Sequence, residues 1–449
     1  MVPSQNSNEA GLEPPSPFGP ALKADFPFAP SYTNLNHGSF GAVPNSIRAK
    51  LQDYQALATS RPDPFLRYEY TELTNAARAA AAAVTNSPLE SVVFVANATE
   101  GVNTIFRNLH WGQTAGQQDV IIYFNTIYEA CRRTIQFITD YHADKVSARE
   151  ITLTYPLEDA VVVELFRDTV AQIRAEGKNP RVAIFDVVSS MPGVCFPWKD
   201  MVRACREFGV LSLVDGAQGI GMVELDLAAV DPDFFTSNCH KWLFVPMGCA
   251  VLHVPPRNQH LLPTTLATTA RYLPQSSSPP AENFALRFEF VGTKDYAPWY
   301  CVPDAVAYRR DVLGGEAAII AYLQRLNKDG SKLVAEALRT DVLDNKAGTL
   351  TDCAMANVAL PIWVGEKGPR ANEDDAVVAP ADRTLLLDWI SKTLYKDYNT
   401  FVPPYIMNGR VWVRLSAQVY LDIKDYEFAA ETLQHLCKRV AEKEYFNTA

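Results

Sequence analysis

Short apolar runs alternate with amphipathic stretches through the middle of the chain. The runs at 92–95, 120–124, 182–188, 211–214 and 249–254 are dominated by Val, Ile, Leu and Phe and have the length of buried strands. Between them the period becomes helical. Val102, Ile105, Phe106 and Leu109 fall at i, i+3, i+4 and i+7, and Met201, Val202 and Cys205 line another helix that Gly209 stops. Such alternation predicts an α/β fold with a mainly parallel sheet covered on both faces. Sheets of this kind bind ligands at the carboxyl ends of their strands.

The rest of the chain reads differently. Residues 272–283 are polar and rich in Pro and Ser, which suits a flap or linker, and 284–300 are aromatic-rich. A long helical pattern carries Ile319, Ile320, Leu323, Leu326, Leu333, Val334 and Leu338. The charged, Pro-containing stretch 366–382 predicts a surface excursion. Strand-like 357–362 and 411–415 then alternate with helices, the last presenting Leu433, Leu436, Cys437 and Val440 on one face. We expect an N-terminal arm at 1–33, a large domain at 34–300 and a smaller α+β domain at 301–449. The first twenty residues lack the basic start and apolar core of a secretory signal and read as a disordered or draped segment.

Composition narrows the function classes. The 449 residues are 48% hydrophobic and 20% charged, as in ordinary globular enzymes. The net charge of -10 is dispersed along the chain and argues against a nucleic-acid partner. No run of about 18 apolar residues is present to span a membrane. The eight cysteines are irregularly spaced, mostly in apolar contexts, which suits reduced thiols in a cytoplasmic protein. Without a CxxC or HxxxH pattern, no metal site is expected.

Four segments concentrate the chemistry. Phe94-Val95-Ala96-Asn97-Ala98-Thr99 takes a strand through small residues into a helix, so it is either a plain N-cap or an anion site. Tyr128 follows the strand at 120–124, where its ring is either core or cover for a planar ligand. Asp215 ends an apolar strand, where an unpaired carboxylate is costly, and Gln218 lies three residues on. His240-Lys241 follows a further apolar segment that also carries Thr236 and Ser237. A lysine among Trp242, Leu243 and Phe244 has a depressed pKa and a free amine. Together these residues suit pyridoxal phosphate: a lysine for the Schiff base, a carboxylate for the pyridine nitrogen and a helix start with His240 for the phosphate.

Leu35-Asn36-His37-Gly38-Ser39-Phe40-Gly41, Asp215-Gly216-Ala217-Gln218, His240-Lys241 and Glu289-Phe290-Val291-Gly292-Thr293 occur in the order found in the class V aminotransferases. The chain resembles this fold-type I pyridoxal phosphate family from about residue 34 to its end. Arg61-Pro62-Asp63-Pro64-Phe65, Asp186-Val187-Val188-Ser189-Ser190 and Arg414-Leu415-Ser416-Ala417-Gln418 are similar to fungal C–S lyases of ergothioneine biosynthesis, which cleave hercynylcysteine sulfoxide.

The resemblance implies a set of roles. Lys241 would be the Schiff-base lysine and Asp215 the partner of the pyridine nitrogen. Gln218, with Ser189 or Ser190, would contact the phenolic oxygen. Ala98, Thr99 and His240 would hold the phosphate, and Asn238 stands where relatives carry Ser. Tyr128 would stack on the ring and donate a proton to the leaving group. Arg414, with Asn36 and His37, would bind the substrate carboxylate. Gly292 and Thr293 would reach the cofactor of a partner in a homodimer.

The implied reaction is Cα deprotonation and β-elimination of sulfur, giving a sulfenic acid or thiol, pyruvate and ammonia. No cysteine occurs at 395–413, where a sulfur-transferring desulfurase would carry its persulfide, so that activity is not expected. Met247, where many relatives have Arg, leaves open a second reading: an enzyme that forms a C–C or C–N bond on an amino acid. Tyr68, Tyr70, Tyr296, Trp299 and Tyr300 are candidates for cation–π contact with a trimethylammonium group, against a core role for each.

Overall fold

The computed structural model describes residues 18–114, 116–274 and 284–447; the first part of the arm and most of the polar stretch expected at 272–283 lie outside these. Seven strands, β1 (Val92–Val95), β2 (Asp119–Phe124), β3 (Val146–Ile151), β4 (Asn179–Asp186), β5 (Leu211–Asp215), β6 (Phe234–Asn238) and β7 (Ala250–His253), make one sheet. Its order is β1-β7-β6-β5-β4-β2-β3. The run from β3 to β6 is parallel, and β7 lies antiparallel between β6 and β1. The expected mainly parallel α/β sheet is therefore present.

Two strands escape the apolar-run criterion. In β3 buried ends flank the partly exposed Ser147, Ala148, Arg149 and Glu150, because this strand is the sheet edge. The second half of β6 is Thr236-Ser237-Asn238, buried but polar. The strand expected at 182–188 ends at Asp186, since Val188 leaves the ladder to bridge Cys195.

Side-chain alternation divides the sheet into two apolar faces. Val93, Val95, Ile121, Val182, Ile184 and Leu213 meet Val102, Ile105 and Phe106 of α1 (Ala98–Asn108) and Ile135 and Ile138 of α2 (Glu129–His142). On the opposite face Phe94, Ile122, Phe185 and Val214 join a larger core with α3 (Asp159–Ala175) and α4 (Trp198–Glu207). Burying both faces against helices leaves only the strand ends open to small molecules.

A second sheet, order β10-β11-β8-β9, contains β8 (Met355–Val364), β9 (Ala376–Val378), β10 (Pro404–Met407) and β11 (Arg410–Ser416). The surface excursion expected at 366–382 is thus corrected in part: Ala376–Val378 pairs in parallel with the end of β8. Only Val378 of the three is buried, so no apolar pattern announces the strand.

The described part of the arm is tied down. The Gly19 N–H donates to the Val419 carbonyl at 2.7 Å, Lys23 pairs with Asp425 at 2.5 Å, and the Phe26 ring packs on Phe244 and Tyr420.

Arg309, on the helix Val302–Asp311, clamps the segment that carries Lys241. It is 1% exposed and donates to the Trp242 carbonyl at 2.8 Å, to the Gly221 carbonyl at 2.9 Å and to both Glu316 oxygens at 2.6 Å. Removing this cation leaves two buried carbonyls and a carboxylate without their donors. Arg309→Met is expected to cost roughly 2–4 kcal/mol and to lower the thermal midpoint, as read by calorimetry on the cofactor-free chain.

Candidate active site

The strand ends deliver the acids. Asp186 closes β4 and Asp215 closes β5, and the two are Cα partners across the parallel pair. In parallel register both side chains point to the same face of the sheet. The Asp215 carboxylate accepts from the Ala217 N–H at 2.9 Å and from the Cys131 thiol at 3.4 Å. Burial is the main cause of a raised Asp215 pKa, offset by those donors and by Lys241.

Lys241 sits in the short helix Cys239–Trp242, just after β6. His37 holds it from below: its Nε2 lies 2.6 Å from the Lys241 carbonyl and its Nδ1 3.0 Å from the Tyr420 hydroxyl. Gly41 adopts a positive φ of 73°, and a Cβ there would lie 1.9 Å from the His240 carbonyl, so the turn 37–41 fits against the lysine helix only as glycine. The Lys241 amine is pushed down to about 8, first by burial and then by the Arg414 charge, while Asp215, Asp186 and Cys131 oppose the shift.

The pocket formed here has a volume of about 220 Å³ and is lined by Asn97, Ala98, Thr99, Tyr128, Asp186, Ser190, Asp215, Gln218, Asn238, His240 and Lys241, with Phe40 and Ser39 at one side. The structure therefore brings together most residues singled out from sequence. Asn97 caps α1 by accepting the Glu100 N–H, and Asn238 accepts the Ala98 N–H, both at 2.9 Å. Ala98 thus has its amide engaged by Asn238. His240 Nδ1 is buried with no hydrogen-bond partner among the described residues. Its pKa is lowered to about 4, first by burial and then by Lys241.

Several expected contacts look different in detail. His37 is fully buried with both ring nitrogens engaged, so it supports the Lys241 and Asn36 segments and does not line the pocket. Ser189 is fully buried and donates to the Pro192 carbonyl at 2.7 Å, leaving Ser190 as the serine at the cavity. Gln218 lines the cavity with its amide bridging the Gly38 carbonyl and the Trp242 indole. The hydroxyls of Thr236 and Ser237 are taken by the Val251 and Gly216 carbonyls. Gly292 and Thr293 lie outside this pocket. Gly292 instead lines a larger cleft of about 570 Å³ with Arg67, Tyr70, Arg271 and Phe290, which has neither a lysine nor a buried acid pair.

Arg414, from β11, is 2% exposed. Its guanidinium donates to the Ser190 carbonyl at 2.7 Å, to Asn36 Oδ1 at 2.8 Å and to Ser39 Oγ at 2.8 Å. Nε is buried without a partner, and no carboxylate faces the group among the described residues. Burial lowers its pKa to about 10. A buried guanidinium held only by neutral acceptors is incomplete without an anion.

The donor set fits pyridoxal phosphate. It offers an amine, a buried acid for a ring N–H, an orphaned imidazole nitrogen beside a helix start, and an aromatic side chain on the cavity wall. Among the described residues no group of His, Cys, Asp and Glu could hold a metal ion, and no helix is long and apolar enough to cross a membrane.

The class-V aminotransferase family matches residues 40–359. The chain belongs to this family. Curated relatives include the L-cysteine desulfhydrase-like protein lolT1 of Epichloe uncinata, 33% identical with 95% of this chain and 98% of that one covered. The hercynylcysteine sulfoxide lyase of Schizosaccharomyces pombe is 27% identical over 94% and 98% of the two chains. Among solved structures, the cystine C-S lyase C-DES superposes with a TM-score of 0.71 at 17% identity, covering 91% of this chain and 98% of that one, which shows the shared fold. Pyridoxal phosphate is accordingly the cofactor of this chain.

Sequence reading passed over Phe40, Cys131 and Asp186, all of which line the cavity. Phe40 lies within the 35–41 motif and is 70% exposed, an unusual state for phenylalanine. Of the aromatic candidates for cation–π contact, Tyr70, Tyr296, Trp299 and Tyr300 take the core role, being buried, and none of them, nor Tyr68, lines this cavity.

The depressed Lys241 pKa has a direct readout. In the cofactor-free chain, pulse acetylation followed by peptide mass analysis should show half-maximal modification of Lys241 near pH 8, against about 10.4 for ordinary lysines. Between those values the unfolded chain binds the proton and the folded chain does not, so this lysine should make stability rise with pH there.

Proposed function

We propose that the chain is a pyridoxal phosphate-dependent C–S lyase. Its substrate would be a cysteine S-conjugate sulfoxide related to hercynylcysteine sulfoxide, and its products a sulfenic acid, pyruvate and ammonia; a separate two-electron reductant, such as an external thiol, would take the sulfenic acid on to a thiol such as ergothioneine. The observation that carries the reading is Arg414: a buried cation without a counter-ion among the described residues, hydrogen-bonded to Ser190 and Ser39 of the cavity whose lysine is readily neutralised. An α-carboxylate completes that cation through a two-point hydrogen-bonded fork. The cofactor, when bound, supplies the electron sink that makes a carbanion at Cα accessible.

The chain's own residues do the rest. Arg414, positioned by Asn36 and Ser39, holds the carboxylate and so directs the Cα–H toward Lys241. The neutral Lys241 amine takes that proton. Asp215 would hold the ring nitrogen's proton, Thr99 and His240 would take the phosphate, and Gln218 with Ser190 would meet the phenolic oxygen. Tyr128, 51% exposed at the cavity, gives a proton to the departing group. The C–S bond breaks with its electron pair on sulfur, and water converts the three-carbon remainder to pyruvate and ammonia. Phe40, together with Tyr128, gives an aromatic entrance suited to a substituent bearing a quaternary ammonium.

The similarity to desulfhydrase-like proteins and to a sulfoxide lyase supports C–S cleavage as the shared chemistry. A bond-forming reaction draws support from Met247, 62% exposed at the position where the family resemblance implies an Arg. A homodimer belongs to the same proposal, because Gly292 lines the separate cleft and Thr293 is exposed, both free to approach another subunit's cofactor. The eight free cysteines suit a reducing compartment such as the cytoplasm.

Incubation with a panel of cysteine conjugates and their sulfoxides should release pyruvate and ammonia in equal amounts, with Lys241→Ala inactive. A product that keeps the amino nitrogen would instead establish the bond-forming reading. Gly193 approaches Arg414 so closely that an added Cβ would lie 2.7 Å from its Cδ. Gly193→Ala should therefore raise KM by about tenfold or more while cofactor absorbance is retained.

A further inference from the structure

Asp186 is used by none of the roles above. It is 6% exposed, lines the Lys241 cavity and has neither a hydrogen bond nor an ion pair among the described residues. Its neighbour Asp215 is held by an amide and a thiol. The two acids are in register at the ends of adjacent parallel strands, which lie about 4.8 Å apart. Two buried carboxylates that leave adjacent strands on one face and line one cavity oppose each other's ionisation. The charge belongs on the acid that has donors, Asp215, and the proton on the acid that has none, Asp186.

We propose that Asp186 is a positioning residue for Asp215: the two carboxyl groups hold one proton between them, and the Asp186 O–H steadies the Asp215 carboxylate that faces the pyridine nitrogen. The proton neither arrives nor leaves during this arrangement; it is shared. The groups around Asp186 are consistent with it. Asp215 on β5, the Cys131 thiol on α2, the Tyr155 phenol after β3 and Lys241 face it, and only Lys241 opposes a protonated acid. Burial, then the Asp215 charge, pushes the Asp186 carboxyl well above the usual range. The consequence is a tuned acid: Asp215 grips a ring proton less tightly than an isolated buried carboxylate would, because part of its charge is already satisfied.

The role toward the ring rests on the cofactor reading, whereas the shared proton does not, and the test separates them. In the cofactor-free protein at neutral pH, infrared difference spectra between wild type and Asp186→Asn should show a protonated-carboxyl C=O band that the variant has lost. Asparagine still offers an N–H to Asp215, so in the loaded enzyme Asp186→Asn should keep the pH midpoint of the visible cofactor band. Asp186→Ala removes the donor, concentrates negative charge on Asp215 and should raise that midpoint by about one unit. If the alanine variant fails to fold, the isosteric asparagine variant still decides the infrared arm. A wild type without the band, a band that survives in Asp186→Asn, or equal midpoint shifts in both variants would overturn the proposal. A chain that shows the band yet takes up no pyridoxal phosphate would sink the cofactor reading and leave the shared proton standing.

Discussion

The site depends on burying charge before any ligand arrives. Lys241, Asp186 and Asp215 line a cavity walled by strand ends and helix starts, and Arg414 lies behind it, bonded to Ser190 and Ser39 of its lining. None of the four forms an ion pair with another among the described residues. Each is therefore shifted toward neutrality by burial: the acids upward, the amine to about 8 and the guanidinium to about 10. Charges held this way are unfinished, and under the proposed function a zwitterionic amino acid on a cationic ring would finish them. The same desolvation that costs stability makes Lys241 a usable base near neutral pH.

Holding these groups requires a rigid frame. Strand register fixes the acids, since a shift by one residue would turn both to the opposite face of the sheet. Arg309 and His37 pin the carbonyls of Trp242 and Lys241, so the lysine's backbone is held from two elements far apart in sequence. Arg414 comes from the second sheet and reaches the first through the Ser190 carbonyl. A paired amide contact at 2.9 Å between Gly193 and Asn357 ties the same loop to β8. The lysine and acids of the first sheet and the Arg414 guanidinium of the second thus meet at one loop.

The segments with continuous apolar runs or strong helical period were readable because each is buried by its own composition. The edge strand β3, the polar end of β6 and the short β9 were not, because their burial or pairing comes from neighbours. At the site, Lys241, Asp215, His240 and Arg414 were legible as polar residues in apolar surroundings. Asp186 had the same signature, an acid ending the run 182–185, but the run was read through it to Val188. Cys131 carried no local signal, and Phe40 sits in the 35–41 motif without a pattern that marks its side chain. Their place in the cavity comes from how the 37–41 turn and α2 pack. His37 and Ser189 were expected to touch ligands, and their side chains instead satisfy backbone groups beneath the site.

Alternation of apolar strand and amphipathic helix, together with an acid and a lysine each ending an apolar segment, determined the α/β class and the cofactor chemistry from the sequence alone. Those features are local, and burial of an ionisable residue already implies a partner. Which serine faces the cavity, which histidine is free, and that two acids share one floor were decided only by tertiary structure. These depend on strand register and on contacts between residues hundreds of positions apart, which no local pattern encodes.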